Sequence, residues 1–134
     1  MQHLTRRVLI AGASGFLGKP LVEALQRCGA ATIPVGRRRH AEGWYAADVA
    51  DLDAVREVFR ETRPEILYHL VSESRGDRDP SVIQASLRND VVASVNLYQA
   101  ALEFGVERVI ATGSLEEPRG EADAATPTTP YAAA

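Results

Sequence analysis

Apolar residues follow two alternating patterns along the chain, and the alternation predicts the fold. Short runs rich in branched apolar residues are typical of buried strands, and they occupy residues 7–11, 31–35, 44–47, 65–71 and 108–112. Between them lie stretches with an apolar residue at every third or fourth position, as in amphipathic helices. Strands that alternate with helices form parallel sheets covered on both faces. The pattern therefore predicts an α/β fold with a doubly wound parallel sheet, incomplete at about five strands with flanking helices.

Capping residues and apolar stripes define the predicted helices. The first helix opens near Ser14, and its stripe includes Cys28, which predicts that this cysteine is a small core residue. Asp51 has the position of an N-cap for the second helix. The longest predicted helix starts at Pro80 and ends at Gly105. It carries a continuous apolar stripe, formed by Leu87, Val91, Val95, Tyr98 and Leu102.

Length and composition restrict the class of protein. A chain of 134 residues with 46% apolar residues buries one core, so one domain or part of one is expected. The formal charge of -3 argues against nucleic acid and anionic membranes as partners. No apolar run approaches the roughly 18 residues that span a bilayer, and residues 1–5 lack a signal-peptide core, so a cytoplasmic protein is expected. One cysteine and three scattered histidines predict no metal site.

Three glycines between the first strand and the first helix form the most informative motif. Gly12, Gly15 and Gly18 have the spacing Gly-x-x-Gly-x-x-Gly. Glycine in this position permits a tight turn and lets a pyrophosphate approach the backbone N–H groups at the start of the helix. The alternative is that they are only turn and packing glycines. Because a strand precedes them and a helix follows, the context is that of a Rossmann-type dinucleotide site.

At this point the chain resembles the extended short-chain dehydrogenase/reductase family, which includes NAD(P)-dependent sugar-nucleotide epimerases and dehydratases. The resemblance covers nearly the whole chain: the glycine motif, Asp48-Val49, the strand end at residues 68–71, and Asn89 with Val95-Asn96-Leu97 all stand in the family's order. It implies that NAD(P) is bound by Gly12, Ser14, Gly15, Phe16, Leu17, Gly18, Asp48, Val49, Leu70 and Asn89, with the Asp48-Val49 element at the adenine. Residues 1–115 would then be the NAD(P)-binding portion.

The same resemblance implies two catalytic residues near the end of the chain. Ser114 stands where the family carries a serine or threonine that binds a substrate oxygen, and Tyr131 where it carries the tyrosine that exchanges a proton. In the family a lysine four residues beyond the tyrosine lowers its pKa. The chain ends at Ala134, before that position, so we expect an N-terminal part of a longer enzyme that is inactive by itself. Residues 116–134 would form the active-site loop and the start of the tyrosine helix.

Three consecutive arginines bear on the choice of cofactor. Arg37, Arg38 and Arg39 follow the second strand, where NAD sites usually carry an acidic residue and a guanidinium suits the 2′-phosphate of NADP. Arg37 is the first choice for that contact, with Arg38 or Arg39 as the alternative. The alternative is a solvated basic loop, since arginines are common on surface turns. The cofactor is therefore expected to be NADP or NAD, with a slight preference for NADP.

Together these features predict an NAD(P)-dependent oxidoreductase, epimerase or dehydratase that acts on a nucleotide sugar or a similar polar carbonyl or alcohol. The alternative is a non-catalytic NAD(P)-binding protein with a redox-sensing or scaffolding role. Partners would be the dinucleotide and a small-molecule substrate, and the family resemblance implies a homodimer of the full-length protein. His69, near the end of a central strand, is expected to be a buried, hydrogen-bonded structural residue.

Overall fold

The computed structural model describes residues 5–73, 79–114, 127 and 129–134, and its centre is a five-stranded parallel sheet. The strands are paired in the order β3-β2-β1-β4-β5. They span β1 Arg7–Ala11, β2 Ala31–Gly36, β3 Tyr45–Ala46, β4 Ile66–His69 and β5 Arg108–Ala111. The predicted doubly wound, Rossmann-type fold with about five strands is confirmed.

Helices connect the strands and cover both faces of the sheet. The α-helices are α1 Gly18–Arg27, α2 Leu52–Thr62, α3 Ile83–Ser86, α4 Ala93–Glu103 and α5 Pro130–Ala133. Asp51 caps α2 as predicted, because its carboxylate accepts hydrogen bonds from the backbone N–H groups of Asp53 and Ala54. The described helices include none long and apolar enough to cross a membrane.

Alternation along β1 divides the core into two layers. Val8 and Ile10 face one side of the sheet, where they pack against Val22 of α1. Leu9 and Ala11 face the other side, where the buried residues of α2 and α4 complete a larger core. The two faces are thus covered by different helices, because successive residues of a strand point their side chains to opposite sides of the sheet.

The long predicted helix is interrupted, which is a correction to the sequence prediction. A 3₁₀ turn at Pro80–Val82 leads into α3, and a π-helical segment, Leu87–Val92, separates α3 from α4. At the end of this π segment the N–H group of Ala93 donates to the carbonyl of Arg88, five residues back. This wider turn changes which residues of the segment face the sheet.

The predicted core position of Cys28 is wrong. Helix α1 ends at Arg27, and Cys28 is its exposed C-cap residue. Leu17, which belongs to the same apolar stripe, precedes the helix and is also exposed. The stripe of α1 therefore buries only its middle, where Val22 is covered and Leu21 and Leu25 are partly covered.

Candidate functional site

A cleft of about 640 Å³ opens at the carboxyl ends of β1, β4 and β5. In open parallel sheets the ligand site lies at these ends, beside the point where the strand order reverses, which here falls between β1 and β4. The cleft is lined by the glycine loop, the ends of β4 and β5, the middle of the long helix and α5. Its lining includes Gly12, Gly15, Phe16, Leu17, Gly18, His69, Leu70, Asp90, Ser94, Thr112, Ser114 and Tyr131.

Two of the three glycines are required by the packing of the backbone. Gly12 has a φ of 85°, and a Cβ atom there would lie 2.9 Å from the carbonyl carbon of Leu70. A Cβ atom on Gly18 would lie 2.3 Å from the carbonyl oxygen of Gly12. Both positions therefore exclude a side chain. Gly15 differs, because a Cβ atom there would meet only the Gly12 oxygen at 3.2 Å, and this glycine is exposed at the cleft.

The start of α1 has no side-chain acceptor for its N–H groups, and among them the Lys19 N–H donates to the carbonyl of Gly15 at 3.3 Å. Its N-cap residue, Leu17, makes no side-chain capping bond, and its first turn contains no acidic residue. Leu17 and Gly18 both line the cleft. Because the first N–H groups of a helix lack acceptors within the helix and carry its positive dipole end, this position suits a phosphate group.

His69 is buried at the end of β4, yet it also lines the cleft. Its Nδ1 accepts a hydrogen bond from the N–H of Val71 at 3.3 Å, and its Nε2 lies 2.7 Å from the Ser94 Oγ. Because the Ser94 hydroxyl donates its own proton to the carbonyl of Asp90, the Nε2 must carry the hydrogen. Burial lowers the pKa of His69, so its ring is held neutral with a fixed tautomer, in agreement with a structural role.

Asp90 is a cleft residue that the sequence analysis did not select. The structure places Asp90 in the lining of the cleft, whereas Asn89, the predicted contact, does not line it. The Asp90 Oδ1 accepts the N–H of Glu73 at 2.8 Å, which fixes the start of the loop after β4. Burial raises the pKa of Asp90. The only available signal was the adjacent Asn89 motif, and the π segment determines which of the two neighbours faces the cleft.

Both predicted catalytic residues line the same cleft. Ser114 follows β5, and Tyr131 lies in α5. Thr112 also lines the cleft, but its hydroxyl donates to the carbonyl of His69 at 3.4 Å. Residues 115–126 and 128 lie outside the described part of the chain, and they include most of the predicted active-site loop between these two residues.

Four of the predicted contacts lie outside the cleft, near the ends of β2 and β3, whereas Leu70 lines it. Arg37, Asp48 and Val49 are not in the lining of the cleft, and neither is Ser14, whose Oγ lies beside Gly36 at the end of β2. Arg37 is exposed and close enough to contribute to the lowered pKa of Asp48. Val49 has its side chain in the larger core, while its carbonyl accepts the Asn96 Nδ2 at 3.0 Å.

Asp48 is held by both carboxylate oxygens. Its Oδ1 accepts the N–H of Ala50 at 3.0 Å, and its Oδ2 accepts a charge-assisted hydrogen bond from the Arg88 Nη2. The Arg88 guanidinium is the main reason that the pKa of Asp48 lies below its usual range. Asp48 is thus an ionised acceptor at the end of β3.

Comparison with known proteins connects this arrangement to a family. A sequence profile of the NAD dependent epimerase/dehydratase family matches residues 8–134. Among curated proteins, the chain is 32% identical to mouse methionine adenosyltransferase 2 subunit beta and 33% identical to a 3-diazoavenalumate denitrifying reductase of a Streptomyces species. These matches cover 75% and 78% of the chain but only 30% and 36% of the two relatives. The chain thus spans about a third of their length.

Solved structures share the fold. The UDP-glucose 4-epimerase of Thermus thermophilus, in complex with NAD, superposes with a TM-score of 0.77 at 24% identity. The match covers 95% of this chain and 46% of that one. The UDP-glucose 4-epimerase of Thermotoga maritima superposes with a TM-score of 0.81 at 19% identity, covering 95% and 47% of the two chains.

Proposed function

Because the chain belongs to the NAD dependent epimerase/dehydratase family, we propose that it is the cofactor-binding part of an NAD(P)-dependent enzyme. Its substrate is a nucleotide sugar or a similar polar carbonyl or alcohol. The carrying observation is one cleft in which the glycine loop, Ser114 and Tyr131 meet. A substrate in that cleft would lie between the nicotinamide, which accepts the hydride, and the side chains of Ser114 and Tyr131, which handle the proton.

The glycine loop fits a dinucleotide. Gly12 and Gly18 keep the turn tight enough for the uncapped start of α1 to face the cleft, and Gly15 leaves the surface there without a side chain. The pyrophosphate would be bound by the N–H groups of this turn. Leu70, whose backbone packs on Gly12, would border the cofactor at the end of β4.

When bound, the nicotinamide supplies the hydride acceptor and donor of the reaction. Removing hydride from an alcohol carbon requires loss of the hydroxyl proton, and reduction of the carbonyl requires its return. Tyr131 would exchange that proton, while Ser114 donates a hydrogen bond to the same substrate oxygen. His69 would take no part in the proton transfer, since its Nε2 hydrogen is already donated to Ser94.

We extend the proposal to NADP as the preferred cofactor. Arg37, Arg38 and Arg39 are all exposed directly after β2, the position beside the adenosine ribose in Rossmann sites. A guanidinium there would bind a 2′-phosphate with a planar pair of donors. Arg37 is the first choice because its charge reaches Asp48, at the neighbouring strand end.

Titration of the protein with NADPH and NADH tests both parts of this proposal. Both are expected to bind, and Arg37→Ala should weaken NADPH by about tenfold while leaving NADH unchanged, as expected for one lost charge-assisted contact. Arg60→Ala is the matched control, because Arg60 pairs with Glu57 on the surface of α2. Failure of both dinucleotides to bind would refute the proposed function. Equal weakening of both by Arg37→Ala would refute only the NADP preference.

A second candidate function is a cofactor-binding subunit without catalysis of its own. The observation that favours it is the 32% identity to a protein named as a subunit of methionine adenosyltransferase. Presence of both Ser114 and Tyr131 in the cleft favours the enzyme instead. Turnover of UDP-sugars by the wild-type protein, abolished by Tyr131→Phe, would separate the two.

We also propose that the protein is a homodimer in its full-length form. Several apolar side chains on the outer side of the π segment and α4 are exposed, namely Leu87, Val91, Val95 and Leu102. Their spacing of four to seven residues places them along one side of the helix. A two-fold axis beside that side would bury the same residues of both copies.

We further propose that the protein is cytoplasmic.

A further inference from the structure

The loop that follows β3 is held by side chains of the π segment and of α4. Strand β3 is only two residues long, so it gives this loop little support. The Asn96 Nδ2 of α4 donates to the carbonyl of Val49, and Arg88 of the π segment reaches the Asp48 carboxylate. The position of Asp48 therefore depends on residues about 40 to 50 positions later in the chain.

The two contacts differ in their exposure. Asn96 is 8% exposed and belongs to the packed interior. The Arg88 and Asp48 side chains are 59% and 42% exposed, so their ion pair lies at the surface beside the predicted adenine position. A partly exposed pair of this kind contributes little to folding, which leaves room for a role in binding.

We propose that Arg88 is a positioning residue for the adenine end of the cofactor, acting through Asp48. This inference rests on the proposed function and assigns Arg88 a part in that same site. Arg88 holds the Asp48 Oδ2, and the N–H of Ala50 holds its Oδ1. With both oxygens fixed, the remaining lone pairs of the carboxylate point in a defined direction and accept the exocyclic amino group of adenine.

The Asp48 carboxylate has acceptor capacity left for a ligand, and a neighbouring cation fixes its orientation. An ionised carboxylate accepts about four hydrogen bonds, of which the described residues supply two, so acceptor capacity remains for a ligand. Arg88 and Arg37 both act on the Asp48 charge, and of the two only Arg88 hydrogen-bonds the carboxylate in the described part of the chain.

A dinucleotide that lacks the adenine amino group tests this role directly. The probes are NADH and reduced nicotinamide hypoxanthine dinucleotide, in which an oxygen replaces the amino group, with binding measured by nicotinamide fluorescence. The wild-type protein should prefer NADH. Arg88→Ala should weaken NADH about fivefold and leave the hypoxanthine analogue unchanged, so that the preference disappears. Arg88→Lys should keep part of it, because an ammonium group holds the charge without the planar fork.

The controls separate this inference from the proposed function. Asp48→Asn should also remove the preference, and adding Arg88→Ala to it should have no further effect, since both act through one contact. Arg60→Ala should change neither affinity. Equal weakening of both dinucleotides by Arg88→Ala, no change with either, or a wild type that binds both equally would each overturn the role of Arg88. A wild type that binds neither dinucleotide would instead refute the proposed function.

Discussion

Helices α2 and α4 each contain 11 residues and cover the same face of the sheet, but they differ in what their outer sides do. In α2, Val55, Val58 and Phe59 are buried, and the opposite side is charged. In α4, Leu97 and three alanines are buried against the sheet, while Val95 and Leu102 on the outer side are exposed. Packing against the core accounts for the apolar residues of α2, whereas α4 carries apolar residues that the core does not bury.

The two helices also differ in the residues that their polar side chains contact. The described polar contacts of α2 include its N-cap, surface ion pairs such as Arg60 with Glu57, and the Glu61 carboxylate, which accepts the Tyr45 hydroxyl at 3.2 Å. The π segment and α4 instead hold the loops around the site, through Arg88 with Asp48, Ser94 with His69 and Asn96 with Val49. The polar side chains of α2 therefore act at its cap and at the protein surface, whereas those of the π segment and α4 reach the residues after β3 and at the end of β4.

The largest predicted effect on the free energy of unfolding comes from a cavity in the core beneath α2. Phe59 is 1% exposed and lies in the larger core, so Phe59→Ala should lower the free energy of unfolding by about 3–5 kcal/mol. Leu102→Ala is the matched control on α4, since Leu102 is 85% exposed and should change the free energy by less than about 0.5 kcal/mol. Urea unfolding measures both. Similar losses for the two variants would contradict the division of roles described for these helices.

A smaller effect on stability, with a larger effect on assembly, is expected on the outer side of α4. Val95→Lys should leave the free energy of unfolding of the monomer within about 0.5 kcal/mol, because the side chain is exposed. It should convert the proposed homodimer to monomer, since a buried lysine at a two-fold axis would meet its own copy. Sedimentation velocity of wild-type and variant protein decides it. A wild-type monomer, or a variant that stays dimeric, would remove this surface from the dimer.

The smallest effect concerns the ion pair that joins the two helices. The Arg56 guanidinium, in two hydrogen bonds at 2.7 and 2.9 Å, lowers the pKa of Glu103 to about 2. A lowered carboxyl pKa stabilises the folded state above the unfolded pKa near 4.5, and that stabilisation is lost as the pH falls from there toward 2. The Tm of the wild type should therefore decline slightly more between pH 5 and 2 than that of Glu103→Gln. Parallel Tm curves would show that this exposed pair contributes nothing.

The strands and the glycine loop were predictable because their signals are local. Strand β1 lies at the predicted residues, since an uninterrupted apolar run between polar ends has few alternatives. Gly12 and Gly18 were identified by their spacing between a predicted strand and a predicted helix, and the reason for that spacing is the close approach of Gly18 to the Gly12 carbonyl.

Other features depend on contacts that no local pattern contains. The apolar stripe of the long helix runs through the π segment without a break, so periodicity could not show the wider turn that brings Asp90 rather than Asn89 to the cleft. The stripe of α1 likewise continues past the helix end, which explains the mistaken burial of Cys28. The pairing of Arg88 with Asp48 joins residues 40 positions apart and becomes visible only in three dimensions.

The exposed position of Cys28 has a practical consequence for measuring the site. It is the single cysteine of the sequence, and it caps the carboxyl end of a ten-residue helix whose amino end faces the cleft. At 1.5 Å per residue, that helix places Cys28 about 15 Å from the end at which the phosphate is proposed to bind. A maleimide fluorophore at Cys28 would therefore attach at one defined point outside the cleft, about one helix length from the proposed phosphate site.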